Sequence, residues 1–374
     1  MVNLRPLNKT IKLVLSQLDR LPPSASPAWV SVFDISPEMA QQMLNMLEKQ
    51  QIIQRTSESI CLHPQSPVVI GFDLGGTKVK GRLASLDGRE LVQVEQPTRK
   101  GDEQSALQQM AQLARSMLKQ AGIPPQRLQQ VAIGIPGAID KLGNVNLSPN
   151  LRLPSQLPAL FALTDTLHCP VTFENDVNLA ALGEYHQGHG QNSDSLVFIA
   201  FGTGVGMGII VQGNIICGHA GMAGEISLLP LSATPYEDAR VSVGGIFEDR
   251  VSSQAIRQRY QGGGTEVIDI FRHAEKGDVQ AIAVLENTAR IAALGVASAV
   301  SMLNPQWLIL GGGIGTRPAF YQQIQHFVRQ LLPVPVQITG SALGDDAGVI
   351  GAVYLAHQRC LTAISYHDVE GQPA

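Results

Sequence analysis

Two glycine-rich turns carry the pattern in this chain with the clearest chemistry, Asp73-Leu74-Gly75-Gly76-Thr77-Lys78 and Gly202-Thr203-Gly204-Val205-Gly206-Met207-Gly208. Each follows an apolar, β-prone run, Val68 to Phe72 and Leu196 to Phe201, and each leads into another, so both read as strand, tight turn, strand. Glycine lets a phosphate approach the backbone with no Cβ in the way, and successive N–H groups in such a turn make an anion-binding concavity. A purely structural hairpin uses glycine too, so one such turn alone does not decide between the two. Two of them suggest a duplicated half. Neither opens a helix, which separates them from the P-loop and the dinucleotide fingerprint. A third turn, Gly311-Gly312-Gly313, ends the β-prone run Trp307 to Leu310, at the strand end where ligands gather in open α/β sheets.

The elements that must hold these turns follow from composition and periodicity. A chain of 374 residues is too long for one ordinary core and predicts two or three domains. With 44% hydrophobic and 16% charged residues it reads as globular, and a net charge of −4 offers no basic field for nucleic acid or an anionic membrane. Charges at Arg5, Lys9, Lys12, Asp19 and Arg20 do not fit a signal peptide, and no uninterrupted apolar stretch reaches membrane-spanning length, so the expected location is cytoplasmic. Cys61, Cys169, Cys217 and Cys360 are scattered, as buried free thiols are.

Residues 1–65 differ in character from the rest. Leu7 to Leu18 has helical periodicity, a proline-rich stretch breaks it, and Ser36 caps a second helix from Pro37 to about Gln50. Ala40, Met43, Leu44 and Leu47 form its apolar stripe, and the β-prone Ile52 to Arg55 follows. A winged helix-turn-helix and a small helical docking domain both satisfy this order. From Val68 strands and helices alternate: an amphipathic helix over Ser105 to Gln120, a buried strand over Val131 to Ile135, and a short one over Val171 to Phe173 running into Glu174-Asn175-Asp176. A long helix covers Val279 to Leu303, and a closing one covers Ala347 to Leu355. The predicted organisation is therefore an N-terminal domain over 1–65, a small α/β lobe over 66–170 to which a helix over 345–360 returns, a large α/β lobe over 171–344, and a loose tail over 361–374.

From Val68 to Leu355 the chain resembles the ROK family of repressors and sugar kinases, a branch of the actin-like ATPase superfamily. The resemblance rests on the two glycine turns and Gly311-Gly312-Gly313, together with Gly134-Ile135-Pro136-Gly137, Ser148-Pro149-Asn150-Leu151, Glu174-Asn175-Asp176-Val177-Asn178 and Ala223-Gly224-Glu225-Ile226, all in family order. It implies an α/β fold of two actin-like lobes, preceded here by a small helical, winged-helix-like domain. It also implies ATP on the glycine turns and a sugar between the lobes.

Carried over by motif, Asp176 aligns with the general base, and a carboxylate that takes the proton of an attacking hydroxyl is what phosphoryl transfer needs. An aspartate at a strand end also serves as an ordinary helix N-cap. The nucleotide and its phosphates would lie on Asp73, Gly75, Gly76, Thr77, Lys78, Gly202, Thr203, Gly204, Gly206, Gly311, Gly312 and Gly313. Asp73 would help position Mg²⁺, a hard cation that takes oxygen ligands. Asn150, Asn175, Glu225 and Glu248 are the implied sugar contacts. The family's Gly-His after Glu-Ile is Ser227-Leu228 here, and Ile246 stands where the last cysteine of its zinc site would fall, so no structural zinc is expected.

Three functions fit these residues: a kinase acting on a hexose or N-acylhexosamine, a sugar-responsive transcriptional regulator, and a catalytically idle sugar sensor with a protein partner. The intact turns and Asp176 favour the kinase; the N-terminal extension favours the regulator. The resemblance makes a homodimer or tetramer the expected assembly. Residues 1–65 carry Arg5, Lys9, Lys12, Arg20, Lys49 and Arg55 against Asp19, Asp34, Glu38, Glu48 and Glu58, a net +1. Specific DNA readers draw much of their affinity from cationic contacts to phosphates. The N-terminal region is therefore expected to bind DNA weakly at about 150 mM salt, and deletion of residues 1–60 should leave sugar and nucleotide binding in place. A mobility-shift titration showing sub-micromolar, sequence-dependent binding relieved by sugar would contradict this.

Overall fold

A computed structural model describes Ile11, Val14 and Leu15 and residues 36–57, 59–99, 105–139, 145–146, 157–242, 244–260 and 265–369. The chain divides into two compact units, one of Met1–Ile135, Arg152–Phe173 and Ala352–Ala374, the other of Pro136–Leu151 and Glu174–Gly351. The N-terminal residues thus group with the first α/β unit, and the stretch after Ile135 with the second. Asn150 lies outside the described residues, as does most of the predicted helix over Leu7 to Leu18.

In the first unit, helix α1 (Pro37–Lys49) starts where Ser36 accepts a hydrogen bond from the Met39 N–H at 3.2 Å, with a proline in its first turn. It buries Ala40, Met43, Leu44 and Leu47, and an antiparallel ribbon of β1 (Ile53–Arg55) and β2 (Ile60–Leu62) follows. Ile11, Val14 and Leu15 are helical and buried. The main sheet has the order β5 (Glu90–Pro97), β4 (Lys78–Ser85), β3 (Val68–Leu74), β6 (Leu128–Ile135), β9 (Val171–Asn175). β3 and β4 form the hairpin of the first glycine turn, and β6 runs parallel to β3. Helix α2 (Ser105–Gln120) buries the predicted Ala106, Met110, Leu113 and Met117. Helix α3 (Leu157–Leu167) is tied to it where Arg115 Nη2 donates to the Thr166 carbonyl at 3.1 Å.

The second unit repeats that plan. Its sheet has the order β12 (Asn214–Ile215), β11 (Val205–Val211), β10 (Ser195–Phe201), β13 (Trp307–Gly311), β14 (Gln337–Gly340). A hairpin again carries the glycine turn, a third antiparallel strand flanks it, and two parallel strands complete the sheet. The unit also holds a short ribbon of β7 (Ala138–Ile139) and β8 (Val145–Asn146). Five-stranded sheets of identical strand order make the duplication visible as topology.

Helix α4 (Asp176–Gln187) lies on β11 at very short range. A Cβ at Gly206 would sit 2.8 Å from Val177 Cγ2, and one at Gly208 would sit 2.7 Å from the Val177 carbonyl oxygen. On the other side of the sheet Phe201, Val205 and Ile209 join Phe247, Ile314 and Phe320 in the core. Helix α5 (Val279–Leu303) crosses that core, and its Gly295 leaves the space that the Phe247 ring fills. Among the described residues α5 is the one helix long and apolar enough to cross a membrane, and 56% of its most apolar window is buried, as in a core helix. Helix α6 (Pro318–Leu331) connects β13 to β14.

The predicted loose tail after residue 360 is corrected. Helix α7 runs from Ala347 to Val369, because its apolar spacing continues through Cys360 and Leu361, both buried. His357 is buried as well and donates from Nε2 to the Ser85 carbonyl at 2.8 Å, and Gln50 Nε2 donates to the Ile364 carbonyl at 3.3 Å. No glycine or proline falls between Gly351 and Gly371.

The contact at Gly208 is with backbone, which cannot swing away as a side chain can. Gly208→Ala should therefore destabilise the protein by about 1–3 kcal/mol, the range for overpacking a filled site. Urea denaturation would show it as a lower midpoint, and an unchanged midpoint would contradict the packing.

Candidate active site

The first glycine turn closes β3 onto β4, with the Gly75 N–H donating to the Lys78 carbonyl at 2.9 Å. Thr98, just past β5, holds it from outside: its N–H donates to the Thr77 carbonyl at 3.0 Å and its hydroxyl to the Gly75 carbonyl at 2.7 Å. Gly76 and Thr77 are exposed, and a Cβ at Gly76 would meet nothing within 4 Å. Asp73 stands opposite Lys80 on β4, which stands opposite Glu95 on β5. Lys80 is buried, with its ammonium 3.7 Å from Glu95; Lys78 reaches the other oxygen of the same carboxylate at 3.9 Å.

In the second unit the other two glycine turns adjoin. The nearest atom to a Cβ built on Gly202 is the Gly313 nitrogen, 3.8 Å away, and Gly313 itself faces open space. Gly311 is buried at the end of β13, and Gly312 begins the short helix that follows. The Gly202 N–H donates to the Gly204 carbonyl at 3.0 Å, and the Gly202 carbonyl accepts from both the N–H and the hydroxyl of Ser253, each at 2.8 Å. Thr203 is exposed at the tip.

Asn175 settles what the residues after β9 do. Its side-chain oxygen accepts from the Val177 N–H at 2.9 Å and the Asn178 N–H at 3.0 Å, so Asn175 is the N-cap of α4. Its Nδ2 donates to the Gly137 carbonyl at 3.1 Å, and Glu174 braces the cap by accepting from the Asn175 N–H and the Asn178 side chain, each at 2.9 Å. Asp176 is left in the first helical turn, half-buried, with Oδ1 accepting the Val177 N–H at 2.9 Å. A carboxylate there is favoured by the helix dipole.

Glu225 and Glu248 come from two loops stitched together. Gly224, at φ +96°, brings Glu225 against β11, since a Cβ would fall 2.0 Å from the Met207 carbonyl oxygen. The Phe247 N–H donates to the Ser227 carbonyl at 3.0 Å, which seats Glu248 beside the same strand. Burial pushes the Glu225 carboxyl above its usual range. Burial does the same for Glu248, opposed by its hydrogen bond from Val205 and reinforced by the negative charges of Asp249 and Glu225. Leu228 is exposed and Ile246 buried. Among the described residues no group of three or more His, Cys, Asp or Glu side chains is gathered to hold a metal.

A model of the ROK family matches residues 69–359, most of the chain and both of the units just described. This chain belongs to the ROK family. It is 30% identical over 315 residues to a glucokinase of Halalkalibacterium halodurans, covering 78% of this chain and 95% of that one. Among solved structures it is similar to a ROK family glucokinase from Streptomyces griseus in complex with glucose and AMPPNP, with TM-score 0.67 and 27% identity over 78% of this chain and 99% of that one. It is also similar in fold to a ROK family transcriptional regulator, a homologue of the E. coli MLC protein, with TM-score 0.78 and 21% identity over 98% of this chain and all of that one. The regulator's match takes in the N-terminal residues, which lie outside the ROK family match.

At Gly76 in the first unit, and separately at Gly313 in the second, the backbone faces open space. Asp73 supplies a carboxylate at the first turn. Periodicity gave no hint of Thr98 or Ser253, which hold the turns, since a single hydroxyl in a loop carries no pattern. Gly206, predicted on phosphate, uses its missing side chain to admit Val177.

The raised carboxyl of Glu225 has a direct consequence. Above the carboxylate's ordinary value of 4.5 the unfolded chain releases this proton while the folded chain retains it, so stability falls as pH rises through the folded value. Glu225→Gln should therefore melt higher than wild type at pH 8, with the gap narrowing as pH falls towards 4.5. Thermal melts across that range check it, and a gap that widens at acid pH would contradict it.

Proposed function

We propose that this ROK protein is a sugar kinase that transfers the γ-phosphoryl group of ATP to a hydroxyl of a hexose or N-acylhexosamine, with Asp176 as the general base. The observation that carries the reading is the division of labour at the start of α4. Asn175 caps the helix through the Val177 and Asn178 N–H groups, and Asp176 shares the first of these, so capping by itself does not require a carboxylate at Asp176. A rigid helix end braced by Glu174 and Gly137 holds the carboxylate, which suits a group that must accept a proton as a hydroxyl oxygen bonds to phosphorus.

The backbone at Gly75 to Thr77 and at Gly202 to Gly204 supplies phosphate-binding turns, and Gly312 and Gly313 supply the backbone for the adenosine side. Asp73 would hold a divalent metal, which when bound neutralises charge on the transferring phosphate. Asn150, Asn175, Glu225 and Glu248 would read the sugar; for Asn175 only the amide nitrogen remains for this, because its oxygen is spent on the cap. The glucokinase resemblance supports a hexose. A regulator reading has its own support in α1 with its β1–β2 ribbon and in the regulator's match along 98% of the chain. In that reading sugar binding changes the state of an N-terminal DNA reader.

A coupled ATP-consumption assay over hexoses and N-acylhexosamines tests the kinase. Asp176→Asn should lower turnover about a hundredfold or more, the scale of a positioned general base, and leave sugar affinity within a few fold. Wild-type turnover in the variant would remove Asp176 from the mechanism, and no turnover of any sugar by wild type would remove the kinase.

A further inference from the structure

One short segment grips the second glycine turn from both sides. Between Gly244 and Ser253 it presents Ser253, which donates twice to the Gly202 carbonyl, and Glu248, whose Oε2 accepts the Val205 N–H at 2.8 Å. The fit around that carboxylate is close. A Cβ at Gly204 would lie 2.6 Å from Glu248 Oε2, and one at Gly244 would lie 2.1 Å from Oε1. The segment is itself fixed, because Phe247 is fully buried beneath Gly295 of α5 and its N–H is held by Ser227.

We infer that Glu248 is a positioning residue for the second phosphate turn, its carboxylate setting the conformation of Gly204 and Val205 through the Val205 N–H. The turn needs such support. Glycine gives it access to a phosphate but also the largest conformational freedom in the unfolded and loosened states, so an external acceptor is what keeps its N–H groups aimed. The acceptor must reach Val205 from outside the hairpin, and the side-chain length of glutamate from the first turn of a short helix does so. A group bound at the Glu248 carboxylate bears on the second glycine turn through one hydrogen bond. This extends the kinase reading by giving a residue expected on the sugar side a role on the nucleotide side.

The role depends on an acceptor oxygen at that position and not on negative charge. Glu248→Gln keeps the oxygen; Glu248→Ala removes it, and Glu248→Asp withdraws it by one methylene. Amide hydrogen exchange of the full chain, read on the peptide spanning residues 202–206, should show wild-type protection in E248Q and exchange faster by about tenfold in E248A and E248D, as local opening becomes easier. Titration with AMPPNP in the absence of sugar should show affinity retained within about twofold in E248Q and lowered about tenfold in the other two, the scale of one lost hydrogen bond. Two breaking variants guard against one that fails to fold. Unchanged exchange in E248A and E248D overturns the inference, as does an E248Q variant that loosens the turn as much as they do. Wild type that binds no AMPPNP would overturn the kinase reading alone, because turn exchange still decides the role of Glu248.

Discussion

The second unit depends on how closely helix α4 can approach strand β11. Gly206 and Gly208 remove two side chains from one face of that strand, and Val177 and Ala181 occupy the space. Alternation puts Val205, Met207 and Ile209 on the opposite face, where they join the core. The same strand thus serves as a flat bed for a helix and as one wall of the core. Since Asp176 is the first residue of that helix, the distance between two backbones decides where its carboxylate stands. A similar economy appears at Gly183 and Gly351, where α4 and the start of α7 meet with no room for a Cβ.

Around this scaffold the acidic side chains divide by what they accept. Glu184, buried within α4, accepts from the Leu343 and His189 N–H groups and from the Ser341 hydroxyl, which ties the helix to the chain after β14. Glu174 braces the N-cap. Glu225 and Glu248 are different, because burial holds both protons more tightly than usual, and at Glu248 the charges of Asp249 and Glu225 add to burial against the opposing hydrogen bond from Val205. Buried carboxylates with a raised proton affinity are found where a site is prepared for polar ligands as well as in structural networks. Here Glu248 is bonded directly to the second glycine turn through the Val205 N–H.

The duplicated sheets give the two glycine turns equivalent places in the fold. Each closes the central hairpin of a five-stranded sheet, and each is held from outside by a hydroxyl, Thr98 in one unit and Ser253 in the other. The means differ in detail. The first turn is held just past β5, the strand that follows its own hairpin, whereas the second is held by a helical segment far along the chain. That difference reflects the longer insertion between β12 and β13, which supplies Phe247, Glu248 and Ser253.

Sequence alone determined the elements whose cause is local. Apolar, β-prone runs interrupted by glycine marked the strands around both turns, the Ser36-Pro37 pair marked the start of α1, and the spacing of Ala106, Met110, Leu113 and Met117 marked α2 with its buried face. Short motifs in family order marked the turns and Asp176. Its limits were those of local pattern. Asn175 and Asp176 are both common N-cap types, and only the hydrogen bonds to Val177 and Asn178 decided which one caps. The last turns of α7 read as tail because their polar residues dilute the periodicity; the burial of His357, Cys360 and Leu361 against the rest of their unit kept them helical. Nothing in the spacing joins Val205 to Glu248 or Gly295 to Phe247, because those contacts link segments brought together only by the core. Tertiary structure decided them, since a hydrogen bond or a shared space between distant residues has no period to read.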